Sequence, residues 1–159
     1  MRAYVALGSN LGDSRQHLLD AIEALAGLPY TEVTARSRIY RTPPWGVTDQ
    51  PDFLNAVVAL ETALEPHDLL SALLAIERAA GRQRNGERWG PRTLDLDLLH
   101  VADRTVNDER LTLPHPHIAD RAFVLLPLYD VAPDLEIPGQ GRVADLLRGV
   151  DTQGCTPLA

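Results

Sequence analysis

The chain contains no lysine: all fifteen basic residues among its 159 are arginine. That absence excludes a Walker A loop, which sets a lysine on the nucleotide phosphates, and any Schiff-base mechanism. Phosphate binding must then fall to arginine, backbone amides or a metal, although a biased genome composition also produces such depletion. A single cysteine, Cys155, leaves no intrachain disulfide and suits a reducing cytoplasm. No apolar run approaches the ~20 residues that a membrane span needs. The opening MRAYVALGSN turns polar too soon for a secretory signal. A cytoplasmic protein with no membrane partner is expected. A basic excess is missing as well: the formal charge of −7 argues against a general nucleic-acid binder.

What is present is ordinary for a globular protein, with 45% apolar and 23% charged residues. The length favours one domain spanning residues 1–159 with a real hydrophobic core. Ala3–Leu7 reads as a short strand ended by Gly8-Ser9-Asn10. Asp13, with Gln16 three residues on, opens a helix whose Leu18, Ile22 and Leu25 recur at helical spacing until Gly27. Thr31–Arg41 alternates as one half-buried strand, with Val33, Ala35, Ser37 and Ile39 sharing a face. A proline-rich break precedes a strand over Phe53–Thr62, an antiparallel neighbour of the one before. Pro66 opens a second helix with a Leu69, Leu73, Ile76 stripe, ended at Gly81. Thr93–Val101 is the next strand. A hairpin turning at Asn107-Asp108 between Val106 and Leu111 and helices over Ala122–Val131 and Val143–Leu147 complete the chain. The order strand-helix-strand-strand-helix-strand predicts an α+β ferredoxin-like sandwich, a mainly antiparallel sheet with helices packed on it.

The chemistry concentrates between Arg82 and Asp97. Arg82, Arg84, Arg88 and Arg92 against Glu87 give this loop +3, so the rest of the −7 chain carries −10. Such a patch is either a solvated charged loop or a local anion site, and the guanidinium fork suits polyphosphate. Asp95 and Asp97 follow at once. Two apart on a strand, they share a face while Leu94, Leu96 and Leu98 turn to the core. Alone, the pair reads as the wet face of a strand. Joined to the arginines, it is the donor set that magnesium and a transferring polyphosphate need.

Five segments then carry a resemblance over nearly the whole chain: ALGSNLGD at Ala6–Asp13, YRTPPWG at Tyr40–Gly46, QPDFLNAVVALET at Gln50–Thr62, RWGPRTLDLDLL at Arg88–Leu99 and LPHPHIADRAFVLLPL at Leu113–Leu128. The chain resembles the 6-hydroxymethyl-7,8-dihydropterin pyrophosphokinases of folate biosynthesis. The resemblance implies an ATP-dependent diphosphotransferase that moves the β,γ-pyrophosphate of ATP to the pterin hydroxymethyl group and releases AMP. It implies two Mg²⁺ ions held by Asp95 and Asp97, and catalytic roles for Arg82, Arg92 and Asp97. ATP would be bound by Glu77, Arg84, Arg88, Leu98, Arg110, Leu111, Thr112, His115 and Arg121. The pterin would lie among Thr42, Pro43, Pro44, Trp45, Phe53, Asn55, Trp89 and Phe123. Phe53 and Phe123 are the only two phenylalanines in the chain. A flat heteroaromatic ring needs such apolar faces and a polar edge, which Asn55 supplies as donor and acceptor. The pattern departs from relatives at Leu74, where some carry an amide, at Pro116, where an aromatic can stand, and at Phe53, where tyrosine is frequent. A monomer is expected, with two small-molecule substrates and no nucleic-acid partner.

Two other readings stay open on the residues alone. A ferredoxin-like sheet can bind RNA, although the acidic balance and the few aromatics oppose it here. Asp95 and Asp97 with His115 and His117 could also serve a metal-dependent hydrolase.

Overall fold

The structure, a computed structural model, describes residues 1–43, 51–81 and 93–158. Its elements run β1 (Arg2–Ser9), α1 (Ser14–Ala26), β2 (Thr31–Arg36), β3 (Tyr40–Thr42), β4 (Phe53–Thr62), α2 (Pro66–Ala79), β5 (Asp95–Val101), β6 (Val106–Asn107), β7 (Thr112–Leu113), α3 (Ala122–Val131), β8 (Glu136–Ile137), β9 (Gly141–Arg142), α4 (Val143–Arg148) and β10 (Thr156–Pro157). The main sheet has the order β10-β3-β4-β1-β5, with β2 also paired to β4, and every pairing is antiparallel. With α1 and α2 on one face, this is the expected ferredoxin-like α+β arrangement.

Both sheet faces are buried. Ala3, Val5 and Leu7 of β1, Ala56, Val58 and Leu60 of β4, and Leu96 and Leu98 of β5 meet Leu18 and Leu25 of α1 and Leu69 and Leu73 of α2. Tyr4, Val57, Ala59 and Leu99 form the opposite core with Val124, Leu125 and Leu128 of α3 and Val143 of α4. The near-continuous apolar runs of β1 and β4 follow from this, since a strand covered on both sides needs no polar face. Each fully buried leucine removes enough apolar surface to contribute about 1.5–3 kcal/mol.

The helix boundaries obey their local chemistry. Asp13 caps α1 by accepting from the Gln16 amide at 3.2 Å, and Gly27 ends it. Pro66 opens α2, and Gly81, at φ +85°, receives the chain just past its end. Strand β1 runs through Gly8 and Ser9 instead of ending at Gly8, because it pairs on both sides as far as Gly8.

The expected single strand Thr31–Arg41 is two strands. The Ser37 amide donates to the Val57 carbonyl, the Val57 amide donates to the Ser37 hydroxyl, and pairing resumes at Tyr40. A register shift between Val33 and Ala35 turns these two residues to opposite cores, so they do not share a face. A second shift, opposite Tyr4 and Val5, lets Leu99 and His100 both turn toward the α3 side. The later hairpin pairs Val106 with Leu113 and Asn107 with Thr112. Its turn is therefore Asp108–Leu111, not Asn107-Asp108. The Asp108 carboxylate accepts from the Arg110 and Leu111 amides at 2.9 Å each and closes it. Among the described residues no helix is long and apolar enough to cross a membrane.

Candidate active site

The register of four strands assembles the site. Tyr40 lies opposite Asn55, Asn55 opposite Gly8, and Gly8 opposite Asp95. One step along, Val57, Ala6 and Asp97 are in register, and one step the other way Thr42 faces Phe53. Val57 and Ala6 pack toward α3, and the period of two puts Phe53, Asn55, Gly8, Asp95 and Asp97 on that same face. Strands stand ~4.8 Å apart, so Asn55 and Asp95 are separated by roughly 10 Å.

The Asn55 end of the row is built from buried polar groups and one helix start. Asn55 and Thr42 are buried, and the Asn55 Nδ2 donates to the Thr42 Oγ1 at 2.6 Å. The Asn55 Oδ1 stands 3.0 Å from where a Cβ on Gly8 would be. Phe123, in the first turn of α3, packs against the same core. The Arg121 guanidinium carbon lies 5.7 Å from its ring centroid, a cation–π contact. At the far end of α3, the Tyr40 hydroxyl donates to the Asp130 carboxylate at 2.9 Å, and the Arg38 amide donates to it at 3.1 Å. This ties α3 to β3 and fixes the gap in which Phe123 faces the sheet. Burial and the neighbouring Asp130 both push the Tyr40 phenol above its ordinary pKa, so it stays a donor.

The other end of the row holds Asp95 and Asp97, each half-buried. Among the described residues no group of three or more histidine, cysteine, aspartate or glutamate side chains could hold a metal. Two carboxylates without a closed cage fit Mg²⁺, which binds through one or two carboxylates and keeps water and phosphate oxygens. They do not fit a structural zinc site.

His115 occupies the segment before α3. Its Nδ1 accepts from the His117 amide at 3.1 Å, which leaves the ring proton on Nε2 as a donor suited to a phosphate oxygen. Burial, then the charges of Arg121 and His117, push its pKa down to about 4. The Gln140 amide donates to the His115 carbonyl at 3.1 Å and the His115 amide to the Leu99 carbonyl at 2.8 Å, so the backbone here is pinned to β5. Its ring should titrate near pH 4 by NMR; a midpoint near 6.5 in the ligand-free protein would contradict the geometry. A depressed imidazole pKa adds stability that is complete above about pH 6.5 and lost as pH falls toward 4.

The remaining expected residues divide. Leu98 and Leu111 are buried in the first core, so only their backbone can meet a ligand. Thr112 is exposed on β7, which lies against β5, and Arg110 is exposed with its guanidinium 3.3 Å from the Ser71 hydroxyl. The Glu77 carboxylate is 2% exposed and accepts from the Leu96 amide at 2.7 Å, on the opposite side of β5 from the aspartates' face. Pro43 is exposed, with Gly154 of the C-terminal segment against it. Pro44, Trp45, Arg82, Arg84, Arg88, Trp89 and Arg92 lie outside the described residues. Gly8 was missed as a site residue. Its motif was visible in sequence, but only the pairing of β1 with both β4 and β5 shows that it sits between Asn55 and Asp95.

A ferredoxin-like sheet with two carboxylates at one end of a polar row and a buried asparagine at the other is compatible with a transferase acting on a small molecule. Residues 4–133 match the 7,8-dihydro-6-hydroxymethylpterin-pyrophosphokinase (HPPK) family. The chain is 53% identical over 153 residues to the 2-amino-4-hydroxy-6-hydroxymethyldihydropteridine pyrophosphokinase of Methylorubrum extorquens, covering 96% of each. It is 48% identical over 157 residues to the Pseudomonas aeruginosa enzyme of the same name, covering 99% of this chain and 96% of that one. A solved Plasmodium falciparum HPPK-DHPS structure superposes with a TM-score of 0.73 at 15% identity, over 93% of this chain. At that identity the likeness concerns the fold, and this chain spans only 42% of that longer protein. The chain belongs to the HPPK family. It is a pyrophosphokinase that transfers pyrophosphate from ATP to hydroxymethyldihydropterin in folate biosynthesis.

Proposed function

We propose that the reaction runs across the row from Asn55 over Gly8 to Asp95 and Asp97, and that this register is the observation that carries the assignment of roles. The pterin ring lies between Phe53 and Phe123, with its amino-oxo edge on Asn55. Thr42 holds the Asn55 amide in orientation through the 2.6 Å bond. Asp95 and Asp97 would hold Mg²⁺ beside the ATP phosphates, where it would supply positive charge against the triphosphate and its leaving group. The pterin hydroxyl oxygen attacks the β-phosphorus in line, the β-phosphorus leaves the oxygen of the α-phosphate, and AMP departs. The hydroxyl proton passes toward Asp97 or solvent.

The neutral His115 donates through Nε2 to a phosphate oxygen, and Arg121 offers its charge beside it. Arg82 and Arg92 stabilise charge on the moving pyrophosphate, and Arg84 and Arg88 hold the nucleotide, roles supported by the arginine-rich segment that leads into β5. Backbone groups of Leu98 and Leu111, with Arg110 and Thr112, receive the adenine at the edge where β7 meets β5. Pro43, Pro44, Trp45 and Trp89 wall the pterin. The protein acts as a cytoplasmic monomer of one domain on two small molecules, with no membrane or nucleic-acid partner.

Mixing the protein with Mg²⁺, ATP and 6-hydroxymethyl-7,8-dihydropterin should yield AMP and the pterin diphosphate in equal amounts. AMP release at the same rate without pterin would mark a hydrolase instead. No AMP with both substrates would end the proposal.

A further inference from the structure

Glu77 is almost completely buried in the last turns of α2, where a carboxylate costs free energy unless something specific holds it. Its Oε2 accepts the Leu96 amide at 2.7 Å. Among the described residues, strand β5 is the outermost strand on its side of the main sheet and pairs with β1 alone. Amides on the free side of an edge strand have no ladder partner, and one buried without a partner is costly. Glu77 supplies that partner at the one residue that stands between the two aspartates.

Leu96 is thus held twice. Its side chain is 5% exposed in the core under α1 and α2, and its amide is bound by Glu77. Because successive strand residues point to opposite faces, a fixed Leu96 determines where the neighbouring Asp95 and Asp97 carboxylates emerge on the α3 side. Two carboxylates can share metal and phosphate only when their oxygens keep a set separation, and groups behind the ligands govern that separation.

We propose that Glu77 is a positioning residue: through the Leu96 amide it fixes the pitch of β5 from which Asp95 and Asp97 reach the metal. This rests on the reading of Asp95 and Asp97 as the metal-holding pair. A phosphate-binding role fits the chemistry less well, since a carboxylate repels phosphate. Glu77 also approaches β5 from the side opposite the aspartates' face.

Two substitutions separate reach from charge. Glu77→Gln keeps the length and an acceptor oxygen but loses the charge. Glu77→Asp keeps the charge but falls one methylene short of Leu96. The first readout is Mn²⁺ binding by electron paramagnetic resonance in the presence of a non-hydrolysable α,β-methylene ATP. The second is hydrogen exchange of the Leu96 amide by NMR. Positioning predicts near-wild-type Mn²⁺ affinity and a protected Leu96 amide in E77Q. It predicts about tenfold or more weaker Mn²⁺ binding with faster exchange in E77D. The reverse order, E77D intact and E77Q impaired, would make the charge decisive and overturn the proposal. So would unchanged Leu96 exchange in both. If E77D does not fold, E77Q still decides: wild-type metal affinity supports positioning, and a tenfold loss refutes it. Neither readout involves pterin. Failure of the transfer reading would instead appear as absent AMP formation by the unmodified protein.

Discussion

Replacing Asp95 or Asp97 by alanine should abolish pterin-dependent AMP formation, by at least about a thousandfold, and leave the fold standing. The magnitude follows from what a bound metal does for phosphoryl transfer: several kcal/mol of charge stabilisation, with each ~1.4 kcal/mol worth a factor of ten. The fold should survive because neither carboxylate belongs to a core. Leu94, Leu96 and Leu98 carry the packing of this segment, and the aspartates leave from the other face. Removing a carboxylate that lies outside the core leaves no cavity there, so the metal-free melting temperature should move by only a few degrees. The stabilisation that Mg²⁺ and ATP together give the unmodified protein should vanish in both variants, because a ligand stabilises only the state that binds it. Near-normal turnover in either variant would remove the metal assignment. A collapsed melting temperature would show that the aspartates serve the fold.

The sequence made much of this legible because the strongest signals are local. Capping at Asp13, Pro66 at a helix start and the Leu94-Leu96-Leu98 alternation each depend on neighbours a few residues away. The face shared by Asp95 and Asp97 needed only the strand period. What stayed hidden depends on pairing between distant segments. Alternation through Val33, Ala35 and Ile39 could not reveal the one-residue shift that sends Ala35 to the opposite core. Nor could it reveal the shift that places Leu99 and His100 on the same side. The strand β10 has two residues and exists only by pairing Thr156 with Arg41 and Pro157 with Tyr40. The family resemblance places Glu77 near ATP, whereas its hold on β5 becomes visible only in the fold. Its bond to the Leu96 amide spans 19 residues and has no sequence signature.

Gly8 leads to the second large expectation: Gly8→Val should eliminate pterin binding while ATP binding persists. Nothing about the backbone demands glycine there, since Gly8 is absent from the positive-φ residues and continues a regular strand paired on both sides. A β-branched residue suits a central strand, so the protein should fold. The demand comes from the side of the sheet on which the substituent would stand. A Cβ at Gly8 would meet the Asn55 Oδ1 at 3.0 Å, and Asn55 is buried and bound to Thr42 at 2.6 Å, so it has little freedom to retreat. Alanine therefore tests displacement of Asn55 alone. Losing one well-placed hydrogen bond costs about 1–3 kcal/mol, so Gly8→Ala should raise the pterin KM about 10- to 100-fold with a smaller effect on kcat. Valine adds two methyl groups over the gap between Asn55 and Asp95, where the proposed reaction needs the hydroxymethyl group to reach the phosphate. Calorimetry with each substrate separates the two ends of the row: ATP affinity close to wild type, pterin affinity lost. Retained pterin affinity in Gly8→Val would mean that the ring does not lie over this part of the sheet.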